Sequence, residues 1–333
     1  MRALVRGTGS IGARHLRVLE SMGVDELYAW PVRKGTGSTE RADIPSRTVF
    51  VDTYPNAPLD LIIIATDTVR HVDDALGAVE QNPRSVLLEK PVAPTVQQCR
   101  PLLDHPRASI VSVSAPLRFH DGYVELAQLL EQEGTPTSAQ IVSQSWLPSW
   151  RPGRDYRQSY SARSDEGGAL RDLVHDIDYP LALLGTPDTV VARLGRGVLG
   201  IEAEESADLL WHSSGKEHPL AVSVRLDYVS PVKKREIRIA TAHSALSWNV
   251  VTNSVIVERP GSVPELSVHP GDGDVDNVLA RQSGTLLQRV GVVVDGLRHE
   301  YNAASLQAGV LAVAVCDAAR LSDRTRRGET VVL

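Results

Sequence analysis

Residues 168–180, GALRDLVHDIDYP, set Asp172, His175, Asp176 and Asp178 along what reads as a single helix. Asp172 and His175 stand three apart, as do His175 and Asp178, so each pair shares a helical face. A solvated surface face can look the same. An imidazole ionises near working pH, which makes His175 the candidate general acid/base, with Asp172 orienting it or relaying its proton. Asp176 points away on a helical wheel, which predicts a solvated carboxylate. Gly167-Gly168 just before the helix would let a bound cofactor come close to the backbone.

A second reactive group stands in LLEKPVA, where Glu89 and Lys90 follow an apolar run and precede Pro91. The chain has only five lysines, at positions 34, 90, 216, 233 and 234, its other basic residues being arginine. A lysine directly after a buried strand can hydrogen-bond a reacting oxygen and lower the barrier to its deprotonation. Solvation is the usual fate of lysine, but this place and this scarcity favour chemistry.

The third feature is Gly7-Thr8-Gly9-Ser10-Ile11-Gly12, a G-x-G-x-x-G pattern between the first strand and the first helix. Gly7 permits the tight turn, Gly9 admits a pyrophosphate to the backbone, and Gly12 lets helix and strand pack closely. The helix N-terminus then offers free N–H groups to phosphates. We assign Gly7, Gly9, Ser10, Ile11 and Gly12 to a dinucleotide. Thr66, Asp67, His71, Glu89 and Lys90, around the carboxyl ends of later strands, join them, because ligands of doubly wound sheets bind at that edge. The second strand is followed by Arg33 and Lys34 with no acid at its end. A guanidinium there binds a 2′-phosphate, so NADP(H) is the expected cofactor and NAD(H) the alternative.

Positioning these groups requires a particular set of elements. Up to residue 118, short apolar runs (RALVRG, ELYAW, LDLIIIATD, SVLLEKP, ASIVSVSAP) alternate with helical patterns, which predicts a doubly wound parallel sheet. From 119 to 333 the rhythm changes. Alternating strands over 188–260 predict an open, mostly antiparallel sheet with one covered face, and two helices close the chain at roughly 276–296 and 302–322. The fold class is therefore α/β followed by α+β. Within the second domain, just before the helix of 168–180, lies WLPSWRPGRDYRQSYSAR, where Trp150, Arg151, Arg154, Tyr156 and Arg163 suit a sugar ring bearing an anionic group. Arg118 at the domain junction joins them as a candidate substrate ligand, and an ordinary surface loop is the competing reading.

Composition narrows the partners. A net charge of −6 argues against nucleic acid or an anionic membrane as the main partner. The two cysteines, Cys99 and Cys316, have no metal-ligand spacing and are expected to be buried, as in a reducing compartment. The first residues enter a strand at once, leaving no room for a signal peptide, and a cytoplasmic protein is expected.

Taken together, G-x-G-x-I-G, Glu89-Lys90-Pro91 and Gly167-Gly168 followed by Asp172 and His175 resemble the Gfo/Idh/MocA oxidoreductases over nearly the whole chain. The resemblance implies that Lys90, Asp172 and His175 face nicotinamide and substrate. It also implies hydride transfer at a carbinol carbon of a sugar, nucleotide sugar or cyclitol, with no metal, in a homodimer or homotetramer. GSIGARH and DLVHDID are similar to a subgroup from cell-surface sugar and natural-product pathways. The family's Asp and His stand four apart and here three, so the proton carrier is either His175 or Asp172. Two other readings use the same residues: a non-redox lyase or glycosidase that retains NAD, and a non-catalytic dinucleotide sensor.

Overall fold

A computed structural model describes residues 1–32, 43–213, 220–294 and 296–333. The chain forms two compact units, one of Met1–Phe119 with Asp274–Val310, the other of His120–Gly273 with Leu311–Leu333.

In the first unit the apolar runs become β1 (Arg2–Arg6), β2 (Glu26–Trp30), β3 (Val49–Phe50), β4 (Leu61–Ile64), β5 (Ser85–Leu88) and β6 (Val111–Val113). Their spatial order is 6-5-4-1-2-3, all parallel, with the short strand Ala304–Ser305 added antiparallel beyond β6. β4 and β5 are buried at every position, as strands covered on both faces must be. Helices α1 (Ser10–Ser21), α2 (His71–Glu80) and α3 (Val96–Leu103) connect the strands. The strand order reverses between β1 and β4, so the glycine turn after β1 lies at the switch point where such sheets bind ligands.

The second unit is built on a nine-stranded sheet. Its chain enters through α4 (Asp121–Glu133) and β7 (Pro136–Trp146), then passes two short helices, α5 (Ala169–Asp172) and α6 (His175–Leu184). There follow β8 (Pro187–Gly195), β9 (Ser206–Ser213), β10 (Leu220–Asp227), β11 (Val229–Thr241), β12 (Ala245–Asn249), β13 (Ser254–Glu258) and β14 (Glu265–Val268). Burial alternates along β9 and β10, giving the one covered face that the sequence predicts. Pairing is antiparallel except between β7 and β10, which run parallel. On the covered side Tyr123, Tyr179 and Trp248 pack edge to face, with ring centroids 5.4–6.3 Å apart.

The closing helices differ from expectation. They span Val275–Arg289 and Leu306–Thr325, because Gly291 at φ +83° ends the first and Gly296 at φ +74° keeps the chain turning. Both cysteines are buried and neither forms a disulfide, and burial pushes the Cys316 thiol up to about 12. Neither thiol is therefore expected to react with Ellman's reagent at pH 8 in the folded protein, and both should react in guanidinium. A thiol titrating before unfolding would contradict this packing. Among the described residues no helix is long and apolar enough to cross a membrane.

Candidate active site

The glycine turn is built by two glycines that the fold itself demands and one that it does not. A Cβ on Gly7, whose φ is +98°, would lie 2.4 Å from the carbonyl oxygen of Ala65, and one on Gly12 only 1.9 Å from that of Gly7. A Cβ on Gly9 would meet nothing within 4 Å. Space above Gly9 therefore faces outward, at the N-cap of α1, where no side chain caps the helix. Ser10 is exposed and Ile11 half-buried beside it. Thr66, just past β4, carries a buried hydroxyl with no hydrogen-bond partner among the described residues. An open helix N-terminus and an unsatisfied hydroxyl beside it fit a dinucleotide phosphate. Asp67 is exposed at the start of the next turn. Arg33 and Lys34 lie outside the described residues.

A group that sequence patterns do not reveal closes the floor of this edge. Arg6, at the end of β1, is buried and stacks on Trp30 with its guanidinium carbon 4.2 Å from the ring centroid. It donates to the carbonyls of Trp30 (3.2 Å) and Pro31 (2.9 Å) and to the carboxylate of Asp74 (3.3 Å). The only hint in the sequence is a cation ending an apolar strand.

Lys90 stands half-buried just past β5. Its neighbour Glu89 turns inward. His15 Nε2 lies 2.8 Å from Glu89 Oε1, and the Lys90 N–H reaches Glu89 Oε2 at 3.3 Å. Burial works against ionisation of Glu89. Hydrogen bonds from His15 and Ser114 outweigh it and hold the carboxyl below its usual range. His71 is buried as well, with Nδ1 2.7 Å from the Pro91 carbonyl and Nε2 3.0 Å from the Thr66 carbonyl. Burial pushes its imidazole down, and the neutral ring donates its one N–H to one of those two carbonyls. The carboxylate of Glu89 is thus taken up within the protein, and the His71 ring is enclosed between two backbone carbonyls.

The second unit departs from the single helix that the sequence suggests. Asp172 ends α5 and His175 opens α6, and Leu173 between them sits at φ −95°, ψ 21°. There the Asp176 N–H bonds Leu173 three residues back, which breaks the regular helical repeat that put both groups on one face. Asp176 is the clearest correction. It is fully buried and takes a bidentate pair from Arg235 on β11, Nε at 2.9 Å and Nη2 at 2.8 Å. A wheel drawn for one unbroken helix misdirects it. The close approach expected at Gly167-Gly168 is made by the protein: a Cβ on Gly167 would lie 2.3 Å from the Tyr160 carbonyl, and one on Gly168 2.3 Å from the Glu204 carboxylate.

Asp172 is buried and accepts a 2.6 Å hydrogen bond from the Tyr228 hydroxyl at the β10–β11 bend. Tyr160 also bonds this carboxylate. Its ring is partly open to solvent while its hydroxyl end is enclosed, and burial together with Asp172 pushes both phenols up. Trp150 packs edge-on against Tyr228 at 5.2 Å, and Arg151 lies over Tyr160 at 5.4 Å. Trp150 and Arg151 of the expected substrate set therefore gather around Asp172, together with two tyrosines that spacing rules do not single out. The others are placed differently. Arg154 is exposed, the Tyr156 hydroxyl bonds the Leu199 carbonyl at 3.1 Å, and Arg163 pairs with Glu166 at 2.9 Å. His175 is half-buried at the start of α6. Arg118 is buried in the short helical turn Pro116–Phe119 of the first unit. No cluster of three His, Cys, Asp or Glu among the described residues is arranged to hold a metal ion.

A switch-point glycine turn and a strand-end lysine thus stand at one edge of the same parallel sheet, and known proteins resemble the chain in sequence and in fold. Residues 1–115 match the family described as "Oxidoreductase family, NAD-binding Rossmann fold". That family is GFO_IDH_MocA, and the match covers the first domain. The chain is 29% identical over 140 residues to inositol 2-dehydrogenase 1 of Saccharopolyspora erythraea, covering 39% of this chain and 41% of that protein. It is 28% identical to an inositol 2-dehydrogenase/D-chiro-inositol 3-dehydrogenase of Shouchella clausii, over 54% of this chain and 51% of the other. The matched stretches thus span about half the length of these relatives or less. The fold extends further. Levoglucosan dehydrogenase solved with NADH and levoglucosan superposes over 100% of both chains with a TM-score of 0.81 at 15% identity. WlbA dehydrogenase from Bordetella pertussis, solved with NADH and UDP-GlcNAcA, covers 100% of this chain and 98% of its own, with a TM-score of 0.77 at 17% identity. These solved dehydrogenases share the fold of this chain, a Rossmann domain and a second, mostly antiparallel sheet domain with helices.

Proposed function

We propose that this protein is an NAD(P)-dependent oxidoreductase that transfers a hydride between nicotinamide and a carbinol carbon of a sugar, nucleotide sugar or cyclitol. The observation that carries the reading is the half-buried Lys90 at the end of β5, on the same sheet edge as an outward-facing glycine turn. The names of the relatives support the substrate class: two inositol dehydrogenases, and structural neighbours bound to levoglucosan and UDP-GlcNAcA.

In this reading the dinucleotide domain expected at 1–118 also takes in 274–310, and the remainder, 120–273 with 311–333, binds substrate and a second copy of the chain. Gly7, Gly9, Ser10, Ile11 and Gly12 hold the pyrophosphate, and Thr66 and Asp67 border it. When bound, the nicotinamide gives or takes a hydride. Lys90 donates a hydrogen bond to the substrate oxygen as negative charge builds on it. His175 takes or returns the hydroxyl proton, and Asp172, fixed by Tyr228 and Tyr160, orients it. Trp150, Arg151 and Arg154 hold the sugar ring or its anionic substituent. Arg33 and Lys34 select the 2′-phosphate of NADP(H), and the enzyme works as a homo-oligomer in the cytoplasm.

A thermal-shift series with NADPH and NADH tests the cofactor half. NADPH should give the larger rise in Tm at equal concentration, with stabilisation near saturation (about 100 times Kd) of about 2.7 kcal/mol. A panel of cyclitols, aldoses and nucleotide sugars is then screened for reduced-nicotinamide absorbance. Tighter NADH binding would reverse the cofactor preference, and failure of both dinucleotides to bind would overturn the proposal.

A further inference from the structure

Two buried histidines reach the Glu89-Lys90-Pro91 turn from opposite sides. His15 lies on α1, three residues beyond Gly12, is fully buried, and meets Glu89 at 2.8 Å. Glu89 in turn receives the Lys90 N–H and a hydrogen bond from Ser114. The chain continues: Gln282 donates to the Ser114 hydroxyl at 3.3 Å and accepts from the Ala115 N–H at 2.9 Å. On the other side His71, 1% exposed, spans the Pro91 and Thr66 carbonyls. A carboxylate and two imidazoles inside a strand end are costly to desolvate, and apolar side chains would fill the same space at less cost. What the polar groups add is direction. His15 and Ser114 meet the residue before Lys90, that residue takes Lys90's own amide, and His71 meets the residue after it.

We propose that His15 and His71 are positioning residues that clamp the Glu89-Lys90-Pro91 turn and fix Lys90 relative to the glycine turn. His15 ties Lys90 to the helix that begins at the glycine turn, and His71, seated between the Pro91 and Thr66 carbonyls, packs it against the segment just past β4. The clamp therefore references the lysine to the two elements that border the dinucleotide. This inference rests on the catalytic reading of Lys90, but it can be tested without turnover.

The test is competitive acetylation of the folded protein with trace acetic anhydride, read by mass spectrometry as the labelling of Lys90 relative to Lys233. His15→Phe, His71→Phe and Glu89→Gln should each label Lys90 faster by about three- to tenfold, the range expected for loss of one hydrogen bond. His15→Gln keeps a donor toward Glu89 and should return the ratio to within about twofold of the unaltered protein. Leu16→Ala weakens the core on the same helix and should lower Tm without moving the ratio. If either Phe variant fails to fold, the near-isosteric Glu89→Gln still decides the matter. An unmoved ratio in the folded variants, or an equal change in Leu16→Ala, overturns the clamp. Activity retained by Lys90→Met would instead overturn the catalytic reading and leave the clamp standing.

Discussion

Lys90→Met is expected to lower kcat by about 10²–10⁴, the range for positioned proton-transfer groups, with dinucleotide affinity preserved. Methionine keeps an apolar stem in the half-buried position past β5, so the turn retains its packing, but the donor to the reacting oxygen is gone. An interaction made only as charge develops is lost from kcat and from kcat/KM alike, with KM little changed. His175→Ala should cost a similar factor and flatten one limb of the pH–rate profile near neutrality. Asp172→Asn provides the contrast. It keeps the shape of the group held by Tyr228 at 2.6 Å and removes its charge. Should His175→Ala keep full activity while Asp172→Asn abolishes it, the proton belongs to Asp172. Full activity in Lys90→Met and in both of these variants would remove the mechanism altogether.

Asp176→Ala is expected to destabilise the fold by about 3–5 kcal/mol, as loss of one partner from a buried ion pair does. The carboxylate is fully buried, and the Arg235 guanidinium faces it through two hydrogen bonds. Removing the acid strands that guanidinium. Replacing both residues together, Asp176→Leu with Arg235→Met, should recover most of the loss, because an apolar pair leaves no unpaired charge. Urea unfolding of the single and double variants measures both steps. A cost below about 1 kcal/mol for Asp176→Ala would mean a solvated carboxylate after all, the value typical of exposed pairs.

Asp176 also marks the limit of what the sequence discloses. Patterns of period two and near 3.6 expose the parallel core, the antiparallel sheet and the glycine turn, since each is a local consequence of which face is buried. Lys90 is legible because it ends an apolar strand in a lysine-poor chain. The break at Leu173 is not, because one residue in an unusual backbone conformation leaves no mark on hydrophobic spacing. Tyr160 and Tyr228 stand 12 and 56 residues from Asp172, and only the folded second unit brings their hydroxyls to its carboxylate. His15 and Glu89 are 74 apart in the chain and meet only once β5 and α1 are packed. Gly167 and Gly168 were legible as a pair needing room, but the neighbour that needs it is the protein's own backbone and Glu204.

The return of residues 274–310 to the first unit makes its nucleotide domain impossible to excise by a single cut. A fragment ending at Phe119 would lose Gln282, leaving the Ala115 amide and the Ser114 hydroxyl without their partner. It would also lose the strand Ala304–Ser305 and bare the edge of β6, whose unpaired backbone invites pairing with other chains. A portable version of this domain needs both segments, joined across the gap where the second unit now sits. For the same reason, a recombination that exchanges the second unit between relatives must carry both of its segments, 120–273 and 311–333, and keep the first unit's two segments from one parent.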